Sequence, residues 1–127
     1  MRTTVAVAAA PAFALPAGAQ QRVTPERCTI RTTGDLVRLC ATPATDPQHA
    51  EALGWCHGYG RGALDYHRAA TPANAAPLFC VPAPSPLPSE VLRRFVAWGN
   101  ANPAAMSAHA VKGVFRFLIA PYPRPRG

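Results

Sequence analysis

The chain has 127 residues, with 13 Lys and Arg against 6 Asp and Glu, so its formal net charge is +7. This length fits one domain and excludes a multidomain enzyme, a Rossmann fold and a TIM barrel. Hydrophobic residues make up 49% of the chain, too many for a disordered protein, and 15 prolines break regular elements where they cluster.

The first 19 residues are predicted to be a cleavable secretory signal peptide. Their amino end is positively charged, residues 3–16 are apolar, and Ala17-Gly18-Ala19 has the small-x-small pattern that signal peptidase reads. The apolar run is shorter than the roughly 20 residues of a membrane-spanning helix. We therefore expect a mature chain that begins at Gln20, a periplasmic location and no membrane span. A membrane anchor or an alanine-rich tail is the alternative.

Two helices are predicted in the first half of the mature chain. A threonine of the Thr32-Thr33 pair is suited to cap a short helix with Asp35 in its first turn, and the Thr-Pro pair at 42–43 stops it. The Asp-Pro pair at 46–47 combines a capping carboxylate with a proline at the first helical position. Residues 48–70 contain no further proline and are predicted to form a long central helix.

Four glycines weaken this long helix, at positions 54, 58, 60 and 62. Each costs about 0.5–1 kcal/mol relative to alanine in a helix, which predicts close approach of a neighbouring helix as compensation. Gly58 and Gly62, four residues apart, are expected to form a flat strip for that neighbour. A phosphate-binding loop is disfavoured, because no Lys-Ser/Thr pair follows the glycines and no strand precedes them.

Two more helices are predicted after a proline-rich loop. Residues 71–88 hold six prolines and form that loop. The third helix begins near 85–89 and runs to about Trp98, and the Asn-Pro pair at 102–103 starts a fourth helix that ends at Pro121. No stretch alternates with the period of a strand, so the predicted class is all-α, a small four-helix, disulfide-linked domain.

The four cysteines, Cys28, Cys40, Cys56 and Cys80, are expected to form disulfides. Zinc sites usually contain close cysteine pairs, whereas 11, 15 and 23 residues separate these cysteines. Cys28 and Cys40 flank the first helix, which disfavours Cys28–Cys40 with Cys56–Cys80. Antiparallel packing of the first two helices favours Cys28–Cys56 with Cys40–Cys80, and the third connectivity stays open.

No pattern in the chain predicts catalysis. Haem attachment needs a cysteine three residues before Cys56, where Leu53 stands, and neither the histidines nor the acidic residues form a catalytic set. The mature basic residues are all arginine except Lys112 and are spread along the chain, which argues against nucleic acid and favours an acidic protein or the anionic envelope. We expect no enzyme activity, no cofactor and no metal.

A series of short motifs runs through the mature chain in a fixed order. They are Thr33-Gly34-Asp35-Leu36, Leu39-Cys40, Cys56-x-Gly58-Tyr59-x-x-Gly62-x-x-Asp65, Phe79-Cys80-Val81-Pro82, Phe95-Val96-x-Trp98 and Tyr122-Pro123. In order and spacing they resemble the Rap/Tai family of immunity proteins, the periplasmic antidotes of type VI secretion systems. The resemblance divides the mature chain into an extension at 20–31, a helical domain at 32–123 and a tail at 124–127.

This resemblance implies a small helical protein that binds and blocks a peptidoglycan-cleaving amidase toxin encoded at an adjacent locus, in some members as a homodimer. The family commonly ends in Pro-Cys, whereas Arg124 follows Pro123 here. A general periplasmic chaperone or envelope-stress protein is the alternative function.

The resemblance also implies which residues are structural. These motif residues are Asp35, Leu36, Gly58, Tyr59, Gly62, Asp65 and Pro82. Loops on rigid scaffolds commonly carry recognition, and arginine is enriched at binding hot spots. The expected interface residues are therefore Arg61, Pro84, Arg93 and Arg94.

Overall fold

The structure is a computed structural model that describes residues 29–126. The predicted signal peptide at 1–19, residues 20–28 of the extension, and with them Cys28, lie outside the described residues. Four α-helices are present in the described range: α1 (Thr33–Cys40), α2 (His49–Ala70), α3 (Pro88–Ala101) and α4 (Ala110–Ile119). The backbone pairs in β fashion there only at two isolated bridges, so the predicted all-α class is confirmed for this part of the chain.

A capping box starts α1, and it confirms the predicted threonine cap and the predicted position of Asp35 in the first turn. The Thr32 hydroxyl accepts a hydrogen bond from the Asp35 N–H at 3.1 Å, and the Asp35 carboxylate accepts one from the Thr32 N–H at 2.8 Å. The Arg31 N–H and the Arg38 guanidinium also donate to this carboxylate. The Thr32 N–H contributes most to holding the pKa of Asp35 below its usual value.

The helix α1 lies at the centre of the domain and contacts each of the other three helices. Six of its eight residues are buried, which accounts for a core built around so short a helix. Aromatic rings close the core between α3 and α4, where Phe95 and Phe117 meet edge to face at 5.4 Å and Trp98 lies beside both. The buried core residues are Leu36, Val37, Cys40, Cys56, Phe95, Ala110, Val114, Phe117, Leu118 and Tyr122.

Close helix approach occurs at glycines other than the predicted ones. A Cβ atom at Gly113 would lie 2.2 Å from the Thr33 hydroxyl oxygen, and one at Gly99 would lie 2.6 Å from a methyl carbon of Val37. These two glycines let α4 and α3 pack directly on α1. The α2 glycines have no neighbour within 4 Å of such an atom, so the expectation that a helix of the described chain packs on Gly58 and Gly62 is wrong.

The fourth helix starts later than predicted. A 3₁₀ turn occupies Pro103–Ala105, and α4 begins only at Ala110. The Asn102 side chain donates to the carbonyl of Trp98 at 2.7 Å at the end of α3 and makes no capping hydrogen bond to the turn that follows it. The start of α4 is set by tertiary pairing, because the Ala110 N–H donates to the carbonyl of Arg31 at 3.1 Å.

The favoured disulfide pairing is wrong. Cys40 is bonded to Cys56, with their Cα atoms 5.3 Å apart, and both side chains are buried. The turn after α1 brings Cys40, the last residue of α1, against the third turn of α2. Cys80 forms no disulfide with another cysteine among residues 29–126.

Among residues 29–126, no helix has both the length and the apolar character that crossing a bilayer requires.

Candidate functional site

An apolar groove opens between the carboxyl half of α2, the start of α3 and the proline-rich loop at 71–87 that joins them. Its volume is about 550 Å³, within the range of about 300–1,000 Å³ typical of ligand sites. Core side chains of α1 and α4 form its floor. The apolar side chains around it are Leu36, Leu64, Phe79, Val81, Val91, Leu92, Phe95, Val114, Phe117, Leu118 and Tyr122.

The loop wall of the groove is held by the carboxyl-terminal tail. Phe79 pairs with Pro123 in an antiparallel bridge, and the Cys80 N–H donates to the carbonyl of Tyr122 at 2.9 Å. The Phe79 ring also lies 6.3 Å from the ring of Phe115 on α4. These contacts position a segment that the prolines keep out of regular structure, so the groove keeps its shape without strands or helices on that side.

The rim of the groove is basic. Arg61 and Arg68 line it, and no acidic side chain does among the described residues. Both arginines bond to Asp65, which lies outside the lining, with N–O distances of 2.9 and 3.4 Å. Two guanidinium charges therefore share one carboxylate, and the rim keeps a net positive charge. All three side chains are more than half exposed, so these ion pairs add little to stability.

The structure brings only part of the predicted interface together. Arg61 lies at the groove, where the predicted loop supplies Val81, Ser85 and Pro86. Pro84, Arg93 and Arg94 are exposed but do not line the groove, and Arg94 instead forms an ion pair with Glu90 on its own helix. The predicted interface is thus divided between the groove and the outer side of α3.

The motif residues take different positions in the structure. Leu36 is 2% exposed at the centre of the core, and Asp35 belongs to the capping box. Tyr59 packs partly buried against the core, where burial raises the pKa of its phenol and the nearby Val111 backbone partly offsets the rise. The other motif residues are exposed at the surface, namely Gly58, Gly62, Asp65 and Pro82.

Sequence reasoning missed the apolar walls of the groove. Leu64 falls on the α2 face that its spacing from Cys56 and Gly60 predicts to be buried. Phe79 belongs to a sequence motif, and that motif does not indicate a groove. The helical spacing of apolar residues shows which residues share a face of α2. It does not show whether the neighbouring helix is long enough to cover that whole face. The sequence does hold one signal of the groove. The apolar face of α2 is longer than the eight-residue α1 can cover, so part of that face has to stay open or contact another segment.

The described residues hold no group of three or more His, Cys, Asp or Glu side chains placed to ligate a metal ion. The His67 ring instead lies 4.9 Å from Phe115 and ends α2 with Thr71, whose hydroxyl donates to the His67 carbonyl at 2.6 Å.

A crosslinked helical scaffold that presents an apolar groove with a basic rim defines a protein-binding module. Comparison with protein families identifies the family to which this module belongs. The family of Rap1a immunity proteins matches residues 32–123, and the chain belongs to this family. It is accordingly an immunity protein against a secreted effector, and its family is generally not catalytic. No curated protein and no solved structure matched the chain.

Proposed function

We propose that the protein is exported to the periplasm, where it binds an amidase effector of type VI secretion and blocks its substrate cleft. Membership of the immunity family supports a protein effector as the partner. The observation that carries the proposal furthest is the groove, because the proline-rich loop and Arg61 meet at one place on a crosslinked scaffold. The partner gene is expected at the adjacent locus.

The scaffold has the physical properties that an inhibitor needs. Binding costs less conformational entropy when the contacting loop is already ordered, and here the loop is tied to the tail through Phe79 and Cys80. The Cys40–Cys56 bond joins the helix at the centre of the core to the helix that carries Arg61. An inhibitor of this kind acts by occupying the cleft of the enzyme and needs no reactive group of its own.

Self-association is part of the same proposal. The face of α2 opposite the groove exposes Trp55 and Tyr66, at 52% and 76%, beside the open positions at Gly54, Gly58 and Gly62. An apolar face of this kind on a helix fits a second copy of the same helix. Sedimentation equilibrium of wild type and of Trp55→Ser tests this part, and a wild type that is monomeric at micromolar concentrations contradicts it.

The test of the function is protection against the amidase encoded at the adjacent locus, expressed with a periplasmic export signal. Cells that co-express the full chain are expected to survive, and cells that express residues 20–127 without the signal are expected to lyse. Gel filtration of the purified proteins is expected to give a stable complex. Equal lysis with and without the full chain, together with no complex, would refute the proposed function.

Binding to many unrelated periplasmic proteins, with no preference for the amidase, would instead support a general chaperone.

A further inference from the structure

We infer that the groove receives a projecting apolar segment of the partner protein that carries a carboxylate beside its apolar side chains. The inference rests on the proposed function and adds a second contact between the two proteins. The immunity protein would hold a part of the effector, in addition to covering the effector's cleft.

The apolar character of the groove gives the first half of the occupant's chemistry. Leu64, Phe79, Val81 and Leu92 stand around an opening that water fills only at a cost, because apolar surface is left in contact with solvent. Val81 remains 44% exposed at the edge of the groove. Entry of apolar side chains from a partner removes this surface from water, as an anchor residue does in a hot-spot pocket.

The charges at the rim give the second half. Arg61 uses its Nε atom and Arg68 one Nη atom to bond Asp65, so each guanidinium keeps N–H groups for another acceptor. The shared carboxylate leaves one positive charge uncompensated, and no acidic side chain lines the groove among the described residues. A partner's carboxylate at the rim can accept hydrogen bonds from both guanidinium groups, whereas a basic group there would be repelled.

Gly60 keeps the groove open from the side of α2. It lines the groove, and a Cβ atom there would meet nothing within 4 Å, so a side chain can start at this position without a clash and extend into the groove. Ala50 is an exposed residue of the same helix that neither lines the groove nor belongs to the self-association face. Gly60→Leu therefore fills the groove, and Ala50→Leu, which adds the same side chain outside it, is the control. Gly60→Leu removes a helix glycine and Ala50→Leu exchanges two good helix formers, so neither is expected to unfold the domain.

The first experiment measures binding of 8-anilinonaphthalene-1-sulfonate alone, an apolar aromatic probe with one negative charge, to the groove. We expect one probe to bind per chain, with a dissociation constant that Gly60→Leu raises at least tenfold and Ala50→Leu leaves within twofold. Replacing both rim arginines, Arg61→Gln with Arg68→Gln, is expected to raise the dissociation constant about fivefold. Arg93→Gln, on an arginine away from the groove, is expected to leave it unchanged. Equal binding by Gly60→Leu and Ala50→Leu, or an arginine pair without effect, would overturn the inference.

The second experiment measures the adjacent-locus amidase by titration calorimetry and the survival assay. We expect Gly60→Leu to weaken the complex at least tenfold, Ala50→Leu to bind as wild type, and the amidase to displace the probe from wild type. Sedimentation of both variants checks that neither substitution changes self-association. If Gly60→Leu binds and protects like wild type, the groove inference is wrong and the proposed function stands. If wild type itself neither binds nor protects, both are wrong.

Discussion

The substitution Gly113→Ala tests the packing of the central helix most directly. The new methyl carbon would lie 2.2 Å from the Thr33 hydroxyl oxygen and 2.5 Å from the Thr33 methyl carbon. Ordinary contact between such atoms needs about 3.5 Å, so α4 would have to move away from α1 by about 1 Å. Thr33 has no room to turn aside, since it is fully buried and its hydroxyl donates to the carbonyl of Ala108 at 3.1 Å.

The expected cost follows from two opposing effects. Overpacking a core costs about 1–3 kcal/mol, and the upper end applies here because the clash meets a hydrogen-bonded side chain. Alanine in place of glycine in a helix offsets about 1 kcal/mol of this cost. The free energy of unfolding should therefore fall by about 2 kcal/mol, which for a domain of this size lowers Tm by about 10 °C.

Thermal and urea unfolding of the protein beginning at Gln20, followed by circular dichroism, measures this change. Gly62→Ala is the control, because the methyl group there meets open space and should raise the free energy of unfolding by about 0.5–1 kcal/mol. Opposite signs for the two substitutions are the expected result. A Gly113→Ala variant as stable as wild type would show that α4 does not pack against Thr33 as described.

Three further predictions concern the crosslink, the helix cap and one buried hydroxyl. Peptide mapping without reductant should recover Cys40 joined to Cys56, and a peptide that joins Cys40 to another cysteine would contradict this pairing. Cys40→Ala should lower the free energy of unfolding by about 3 kcal/mol, because the disulfide closes a loop of 16 residues. The lowered pKa of Asp35 contributes stability that is present above its usual value of 3.8 and is lost as the pH falls through the lower folded value. Unfolding of wild type should therefore become easier below pH 3.8, with a smaller dependence in Asp35→Asn, and equal slopes for the two proteins in acid denaturation would contradict this. The Tyr122 hydroxyl is buried and has no hydrogen-bond partner among residues 29–126, so Tyr122→Phe should raise the free energy of unfolding by about 1 kcal/mol in urea titrations. A lower free energy of unfolding would instead indicate a hydrogen bond to that hydroxyl.

The local features of the fold followed from the sequence because they depend on residues close together in the chain. The capping box needs only Thr32 and Asp35, three residues apart, and the long helix from His49 needs only a run without proline. The loop at 71–87 likewise follows from its prolines, which lack the N–H that regular structure requires. Family membership also lay in the sequence, since the order and spacing of short motifs carried it.

The tertiary structure alone decided which distant residues meet. The pairing of Cys40 with Cys56 depends on where α1 ends and how the chain turns, and the start of α4 depends on a hydrogen bond to Arg31. Glycine composition placed close packing on α2, whereas the contacts occur at Gly113 and elsewhere, because a missing side chain permits an approach but does not cause one. The groove arises for the same reason: apolar spacing marks a face of α2, and only the length and direction of the neighbouring helices determine how much of that face stays open.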